Sequence, residues 1–295
     1  MLDNEKRENI QKALSHRNIN KYKKVSGKRF DIPCGDHNIN VVYYPADKAN
    51  APLMLGFHGG GFLFGGNAFN DHMWKAISQN MNVNLASIEY RKSPQYQYQH
   101  GLADGIAAYL WFKENADQFN FDKNSIDVIG FSAGANLATT LCLALNNQNL
   151  CSVRHQILVY PYLDADTDPA EKGADQPLLH LFNDLHSSRD ATKSLYVSPI
   201  LATTKDLQGL PETWICVADN DILKPEGLKY AAMLQEAGVP VHVTCAKNMP
   251  HEFFEAAFGD YTDAVLKERT PELYRAVKSG AAYDAAMKLF RLYSR

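Results

Sequence analysis

The stretch from Ser125 to Leu145, SIDVIGFSAGANLATTLCLAL, contains the change of pattern that decides the fold. Before Ser132 the residues are mostly apolar and β-branched, which predicts a strand. After Ala133, alanine, leucine and threonine recur at helical spacing until Asn146, which predicts a helix. The sequence therefore holds a serine on a tight turn between a strand and a helix.

Two glycines flank this serine as G-x-S-x-G, at Gly130 and Gly134. They let the chain turn sharply, while the serine itself takes a strained backbone conformation and projects its Oγ out of the turn. The serine also lies at the positive end of the helix dipole. A Gly-rich packing turn is the alternative interpretation, but the strand before the turn and the helix after it favour a nucleophile at Ser132.

Strands and helices alternate along the rest of the chain. A hairpin is predicted over residues 28–44, and apolar strands are predicted near residues 53–57, 84–88, 156–160, 213–218 and 241–246. Helical patterns separate most of these strands and continue after residue 261. This alternation predicts an α/β fold with a mostly parallel sheet that helices cover on both faces.

One segment interrupts the alternation. Residues 164–198 are polar and contain no strand pattern, and a long irregular stretch of this kind is usually functional or an insertion. We expect it to form a helical cap together with residues 1–28. The chain is therefore predicted to be a single domain, residues 1–295, that carries a cap.

The composition excludes several classes of protein. The chain has 295 residues, is 45% hydrophobic and has a formal charge of -3, which argues against a general nucleic-acid binder. The sequence predicts no membrane span, and the N-terminus lacks the apolar core of a signal peptide, so a cytoplasmic location is expected. The cysteines show no C-x-x-C spacing, which indicates neither a disulfide framework nor a zinc site.

A serine nucleophile needs a base within hydrogen-bond reach and an acid that orients the base. His251 is the best placed of the 10 histidines, because it follows the last core strand at the edge where parallel strands end. Asp221, just beyond another strand, is the favoured acid, and Asp219 and Asp164 are the alternatives. His58 is predicted to hold a loop rather than to act as the base.

The segment LMLGFHGGG, residues 53–61, ends an apolar strand in three successive glycines. Their backbone N–H groups can approach a substrate oxygen without an intervening side chain, as an oxyanion hole requires. The candidate donors are the N–H groups of Gly60, Gly61 and Ala133. Aromatic residues beside the motifs are candidates for an apolar substrate pocket, with ordinary core positions as the alternative: Phe62, Phe64, Phe131 and Phe253.

Five features together resemble the hormone-sensitive-lipase-like esterases of the α/β-hydrolase fold. They are HGGG at 58–61, YRKSP at 90–94, GFSAGAN at 130–136, DILKPEG at 221–227 and the late His251. The resemblance covers residues 41–254. It implies a triad of Ser132, Asp221 and His251, the oxyanion donors named above, the cap and a homodimer. Phe131 and Ala135 depart from the usual G-D-S-A-G-G-N, which changes the surroundings of the serine but not the triad.

The resemblance and the motifs predict a serine carboxylesterase that acts through an acyl-enzyme. Short- or medium-chain acyl esters are the expected substrates, and the mechanism requires neither a metal nor an organic cofactor. An amidase or formamidase with the same triad is one alternative. The other is a protein of the same fold that binds a small ligand without catalysis.

Overall fold

The structure is a computed structural model that describes residues 24–173, 177–259 and 261–293. Residues 1–23, in the N-terminal part of the predicted cap, lie outside the described residues. Eight strands form one sheet: β1 Lys28–Cys34, β2 His37–Tyr44, β3 Leu53–Phe57, β4 Asn84–Ile88, β5 Ile126–Phe131, β6 Val153–Val159, β7 Glu212–Asn220 and β8 Val241–Pro250.

Ten α-helices occur in the described part of the chain. They are α1 Asp71–Met81, α2 Tyr98–Glu114, α3 Ala133–Asn147, α4 Pro177–His186, α5 Thr204–Leu207, α6 Lys224–Glu236, α7 Phe253–Ala257, α8 Asp263–Glu268, α9 Pro271–Lys278 and α10 Ala281–Tyr293. Among the described residues, no helix is long and apolar enough to cross a membrane.

The strand order in the sheet is β1-β2-β4-β3-β5-β6-β7-β8. The β1–β2 and β2–β4 pairs are antiparallel, and every other neighbouring pair is parallel. The predicted mostly parallel sheet with an N-terminal hairpin is therefore confirmed. Because all strands from β3 to β8 run in one direction, the loops that follow them meet at one edge of the sheet.

Apolar side chains fill both faces of the sheet. On one face, Phe112 of α2, Leu141 of α3 and Leu234 of α6 belong to the same buried cluster as the strand residues. On the other face, Trp74 of α1 and Phe290 of α10 belong to a second cluster. Strands covered on both faces are apolar almost throughout, and all five residues of β3 are buried accordingly.

The last two strands extend further than the sequence pattern predicts. Strand β8 was expected to end near residue 246, but it continues to Pro250, which pairs with Asn220 of β7. This pairing places the residues that follow the two strands, Asp221 and His251, next to each other. A hydrophobicity pattern does not predict this extra length, because most of the residues added at the ends of β7 and β8 are polar.

The C-terminal helices are part of the core. Helix α10 packs against α7, and the Phe290 ring contacts Phe254 and Phe258 at centroid distances of 5.6 and 5.9 Å. At the end of the helix, the Tyr293 hydroxyl donates a 2.6 Å hydrogen bond to the buried carboxylate of Asp127. Helix α10 therefore covers one face of the sheet.

Phe290→Ala is expected to destabilise the protein by about 3 to 5 kcal/mol, because it removes a buried ring and leaves a cavity. Urea unfolding measures the change in the free energy of unfolding. Tyr283→Ala is the matched control on the same helix, since Tyr283 is 48% exposed, and it should cost about 1 kcal/mol or less. Equal losses for the two variants would contradict the assignment of α10 to the core.

Candidate active site

Ser132 sits on the turn between β5 and α3 with φ 53° and ψ -117°. This strained conformation is held by the Ser132 N–H, which donates a 3.0 Å hydrogen bond to the Val159 carbonyl. A Cβ added to Gly130 would lie 2.2 Å from the carbonyl oxygen of Gly134, so only glycine fits there. The structure thus has the tight strand-to-helix turn that the sequence predicts.

His251 lies between Ser132 and Asp221. Its Nε2 is 3.0 Å from Ser132 Oγ, and its Nδ1 is 2.7 Å from Asp221 Oδ2. A carboxylate only accepts hydrogen bonds, so we assign the imidazole proton to Nδ1, which leaves Nε2 free to accept the serine proton. The other oxygen of Asp221 accepts a 3.0 Å hydrogen bond from the Leu223 N–H, which fixes the carboxylate.

The electrostatics of this group suit a base. Burial alone lowers the pKa of His251, but the charge of Asp221, its hydrogen bond and the charge of Glu252 outweigh burial, so the pKa lies above its ordinary value. The Asp221 side chain is only 1% exposed, whereas the His251 side chain is 33% exposed. The imidazolium that forms on proton transfer is thus stabilised by a fixed, nearly buried charge.

The two alternative acids have other partners. Lys224 donates a 2.7 Å hydrogen bond to Asp219 and lowers the pKa of its carboxyl to about 2, with a further contribution from the Asn248 N–H. Asp219 therefore ties the loop after β7 to the end of β8. Asp164 accepts a 2.9 Å hydrogen bond from the Thr167 N–H within its own loop. Asp221 is the carboxylate in contact with His251.

His58 holds the glycine loop. Its Nδ1 lies 2.7 Å from the Gly59 carbonyl oxygen, and its ring stacks on Tyr90 with a centroid distance of 4.3 Å. The Tyr90 hydroxyl donates a 2.8 Å hydrogen bond to the His58 carbonyl. Burial, with the nearby charge of Lys92, lowers the pKa of His58 to about 4, so the ring is neutral near pH 7.

The glycine loop, residues 58–61, and the Ser132 turn are in direct contact. A Cβ added to Gly134 would lie 2.1 Å from the Phe57 carbonyl oxygen, so the start of α3 packs against the end of β3. Gly60 and Gly61 have φ angles of 122° and 59°, which glycine adopts without strain. Within the described residues, the N–H groups of Gly60, Gly61 and Ala133 donate no hydrogen bond. They are therefore available to a substrate oxygen.

The four candidate pocket rings fall into two groups. Phe62 stacks on His186 at a centroid distance of 3.5 Å, and Phe64 contacts Phe182 at 6.2 Å, so both meet helix α4 of the segment 164–198. Phe131 and Phe253 are 0% exposed and belong to the core cluster on one face of the sheet. Of the four rings, only Phe62 and Phe64 contact the segment 164–198.

Sequence reasoning missed Phe182. A Cβ added to Gly61 would lie 2.3 Å from Cζ of Phe182, so this ring covers the glycine loop. The segment containing Phe182 has no motif, and only the apolar spacing of Leu179 and Phe182 in a polar stretch hints at a buried helix face.

Glu255 and Tyr160 were also missed. The Tyr160 hydroxyl donates a hydrogen bond to the buried Glu255 carboxylate, and the Tyr160 ring lies 4.7 Å from the His251 ring. The second Glu255 oxygen lies 3.3 Å from the point where a Cβ on Gly59 would be. No signal in the sequence predicts this arrangement, because it depends on how β6 and α7 pack.

Comparisons with known proteins identify the family. A family described as alpha/beta hydrolase fold matches residues 54–255. Carboxylesterase NlhH of Mycobacterium tuberculosis is 30% identical over 241 residues, which is 77% of this chain and 72% of the relative. An arylesterase of Saccharolobus solfataricus is 29% identical over 222 residues, which is 71% of each chain.

A solved structure agrees with the fold. The thermostable esterase from Pseudomonas putida superposes with a TM-score of 0.74 at 23% identity, covering 97% of this chain and 90% of that one. The chain therefore belongs to the hormone-sensitive-lipase-like family of the α/β-hydrolase fold.

Titration of His251 is expected to limit activity at low pH. Because a protonated imidazole cannot accept the serine proton, the rate should fall as pH drops through a pKa above the ordinary value of about 6.5. Asp221→Asn removes the charge that raises this pKa, so the acidic limb should move to lower pH. The maximal rate should also fall by roughly 10⁴-fold, as in other serine hydrolases with a misoriented imidazole.

The pH dependence of kcat/KM on an ester, or of labelling by a fluorophosphonate, measures this limb. Asp164→Asn is the control, since Asp164 accepts its hydrogen bond within its own loop and does not contact His251, so the acidic limb should stay in place. An unchanged limb in Asp221→Asn would contradict the role assigned to Asp221.

Proposed function

We propose that this carboxylic ester hydrolase cleaves short- to medium-chain acyl esters with Ser132 as nucleophile, His251 as base and Asp221 as the acid that orients the base. The observation that carries the proposal is the continuous hydrogen-bonded chain from Ser132 Oγ through both ring nitrogens of His251 to Asp221. The three residues come from loops after three different strands, so no local turn accounts for their meeting.

The reaction begins when Ser132 Oγ attacks the ester carbonyl while His251 Nε2 takes the hydroxyl proton. The tetrahedral oxyanion accepts hydrogen bonds from the N–H groups of Gly60, Gly61 and Ala133, and losing one such donor typically raises the barrier by about 2.7 to 4 kcal/mol. His251 then protonates the leaving alcohol, and an acyl-enzyme remains on Ser132.

Deacylation repeats these steps with water. His251 removes a proton from a water molecule as the water attacks the acyl carbonyl, and the same N–H groups hold the second oxyanion. Collapse of the intermediate returns the proton to Ser132 and releases the carboxylic acid. Only proton transfers and acyl transfer occur, so these steps call for no metal or organic cofactor.

The contacts around the glycine loop support a preference for small acyl groups. Phe182 covers Gly61, Phe64 packs against Phe182, and Phe62 is stacked on His186. The Phe182 ring lies against Gly61, one of the proposed oxyanion donors, where the acyl group of a substrate would be bound. We therefore propose that Phe64 and Phe182, from the glycine loop and the segment 164–198, limit the acyl chain.

Asn136 supports the assignment of residues 164–198 to a cap. Its side-chain amide donates 2.9 Å hydrogen bonds to the carbonyl oxygens of Tyr162, just before that segment, and Val197, near its end. Leu185 and Val197 share a buried cluster with Phe62 and Ala133. This segment is thereby fixed to the helix that follows the nucleophile.

The homodimer and the cytoplasmic location stay predictions. Strand β8 lies at the edge of the sheet, and Val243 on this strand is 43% exposed. An exposed edge strand can pair with a second copy of a chain.

Ser132→Ala is expected to reduce the hydrolysis of p-nitrophenyl acetate and butyrate to background, because no other group supplies the nucleophile. Circular dichroism of the variant checks the fold, and fluorophosphonate labelling of the parent should modify Ser132. Faster turnover of a matched amide than of the ester would favour the amidase alternative. Ligand binding without turnover of either would favour a non-catalytic protein.

Phe182→Ala is expected to move the optimum of kcat/KM to longer acyl chains, because it removes the ring that covers Gly61. A series of p-nitrophenyl esters from acetate to decanoate measures the optimum. Phe119→Ala is the matched control, since Phe119 is also half-buried but packs against Phe30 and Trp111. An unchanged optimum in Phe182→Ala would show that this ring does not limit the acyl chain.

A further inference from the structure

A second cluster of reactive side chains lies at the turn between β1 and β2. Cys34 ends β1, His37 begins β2, and Asp104 lies on α2. One ligand atom from each residue, a sulfur, an imidazole nitrogen and a carboxylate oxygen, lies within 4.8 Å of the other two. In the part of the chain that the structure describes, no other group of three such residues is this close. None of the three belongs to the proposed catalytic machinery.

We propose that Cys34, His37 and Asp104 form a binding site for a divalent transition metal ion of the zinc class. Thiolate, imidazole and carboxylate are the ligands that zinc and cobalt accept in tetrahedral sites, whereas magnesium and calcium require oxygen ligands. Three protein ligands leave a fourth position for water. The proposal is independent of the proposed function, since ester hydrolysis by the triad uses no metal.

The hairpin fixes two of the ligands. Cys34 and His37 are directly paired across the antiparallel strands, so their side chains lie on the same face. Gly35, with φ 59°, and Asp36 form the two-residue turn between them. Asp104 reaches the pair from α2, and its side chain is only 1% exposed. Because the turn is short and the Asp104 carboxylate is buried, the three ligand residues have little freedom to move apart.

The two nitrogens of His37 face different partners. Nε2 lies 2.9 Å from Asp104 Oδ1, and Nδ1 lies 3.4 Å from Asp36 Oδ1. In metal sites, the ring nitrogen that does not bind the ion usually donates to a carboxylate or a carbonyl, which orients the ring. Asp36 is placed to accept this hydrogen bond while Nε2 binds the ion. In a tetrahedral site, His37 Nε2 and Asp104 Oδ1 would lie roughly 3.4 Å apart. The two atoms would therefore have to separate by about half an ångström.

The charges around the cluster favour a dication. Arg91 contacts Asp104 through Nη2 at 2.8 Å, and its positive charge opposes a cation. The carboxylates of Asp36 and Asp104 carry two negative charges, so the group with Arg91 has a net charge of -1 before an ion binds, and loss of the Cys34 proton on binding makes it -2. A divalent ion neutralises it. Asp104 contacts the Arg91 backbone N–H, Nε and Nη2 as well as His37 Nε2, which together occupy its roughly four lone-pair sites. An ion that takes the place of the direct His37 contact leaves the contacts with Arg91 intact.

Solvent reaches the cluster. The His37 side chain is 24% exposed, and Cys34 is half-buried, so an ion can enter without unfolding. On binding, the S–H bond of Cys34 breaks, a sulfur–metal bond forms, and the proton passes to the buffer. No electron is transferred, and no other reactant is needed.

The test is a titration of the reduced full-length protein with Co²⁺, which binds such sites and reports its ligands by absorbance. We expect a sulfur-to-cobalt charge-transfer band in the near ultraviolet that saturates at one ion per chain and disappears when Zn²⁺ is added. Cys34→Ser should abolish the band. His37→Gln should keep it but weaken Co²⁺ binding at least about tenfold. Cys151→Ser, which removes another half-buried cysteine, should leave it unchanged.

Absence of the band in the parent, its survival in Cys34→Ser or its loss in Cys151→Ser would overturn the proposal. In these cases Asp104 has only a structural role. It joins α2 to the hairpin through His37 and also contacts Arg91. A second measurement does not depend on the cysteine variant. Zn²⁺ should raise the melting temperature of the parent, and the rise should shrink or vanish in His37→Gln; equal rises in both would also contradict the site.

Discussion

The close contact between the start of α3 and the end of β3 is the constraint on which the site depends. A Cβ on Gly134 would lie 2.1 Å from the Phe57 carbonyl oxygen and 2.4 Å from that of His58, so only a hydrogen fits between the two backbones. Strands β3 and β5 are parallel neighbours, with Phe57 paired to Gly130, which brings their following loops to the same point. The glycine loop and Ala133 can therefore present N–H groups beside one serine.

The remaining catalytic candidates depend on the pairing of β7 with β8. Their ladder continues as far as Asn220 and Pro250, although its register shifts after Ala218. The residue after each of these positions belongs to the proposed triad, so the contact between His251 and Asp221 follows from main-chain pairing. Asp219, on β7 itself, is held by Lys224 and by the Asn248 N–H, which fixes the loop before His251. Asp219 thus holds the ends of β7 and β8 together, whereas Asp221 contacts the His251 imidazole.

The sequence predicts the order of strands and helices well because buried parallel strands and the Ser132 turn have strong local patterns. It does not predict which way a ring beside a motif points. Phe131 precedes Ser132 by one residue, and successive strand side chains point to opposite faces, so its ring packs on Trp74 in the core. The choice between Asp219 and Asp221 and the contact of Phe182 with Gly61 likewise depend on tertiary packing, which no spacing encodes. Asp104 joins Cys34 and His37 for the same reason.

Phe131, the residue before Ser132, shows how the fold accommodates a departure from the family's usual sequence. Members of the family usually carry an acidic residue there, and Phe131 instead packs on Trp74 and Phe254 with centroid distances of 5.5 and 5.2 Å. A carboxylate still reaches the glycine loop, because Glu255 on α7 lies beside Gly59 and accepts a hydrogen bond from Tyr160. The acidic side chain near the loop therefore comes from the element that follows His251. Apolar packing behind Ser132 and a carboxylate beside Gly59 can coexist because they lie on different elements of the same edge of the sheet.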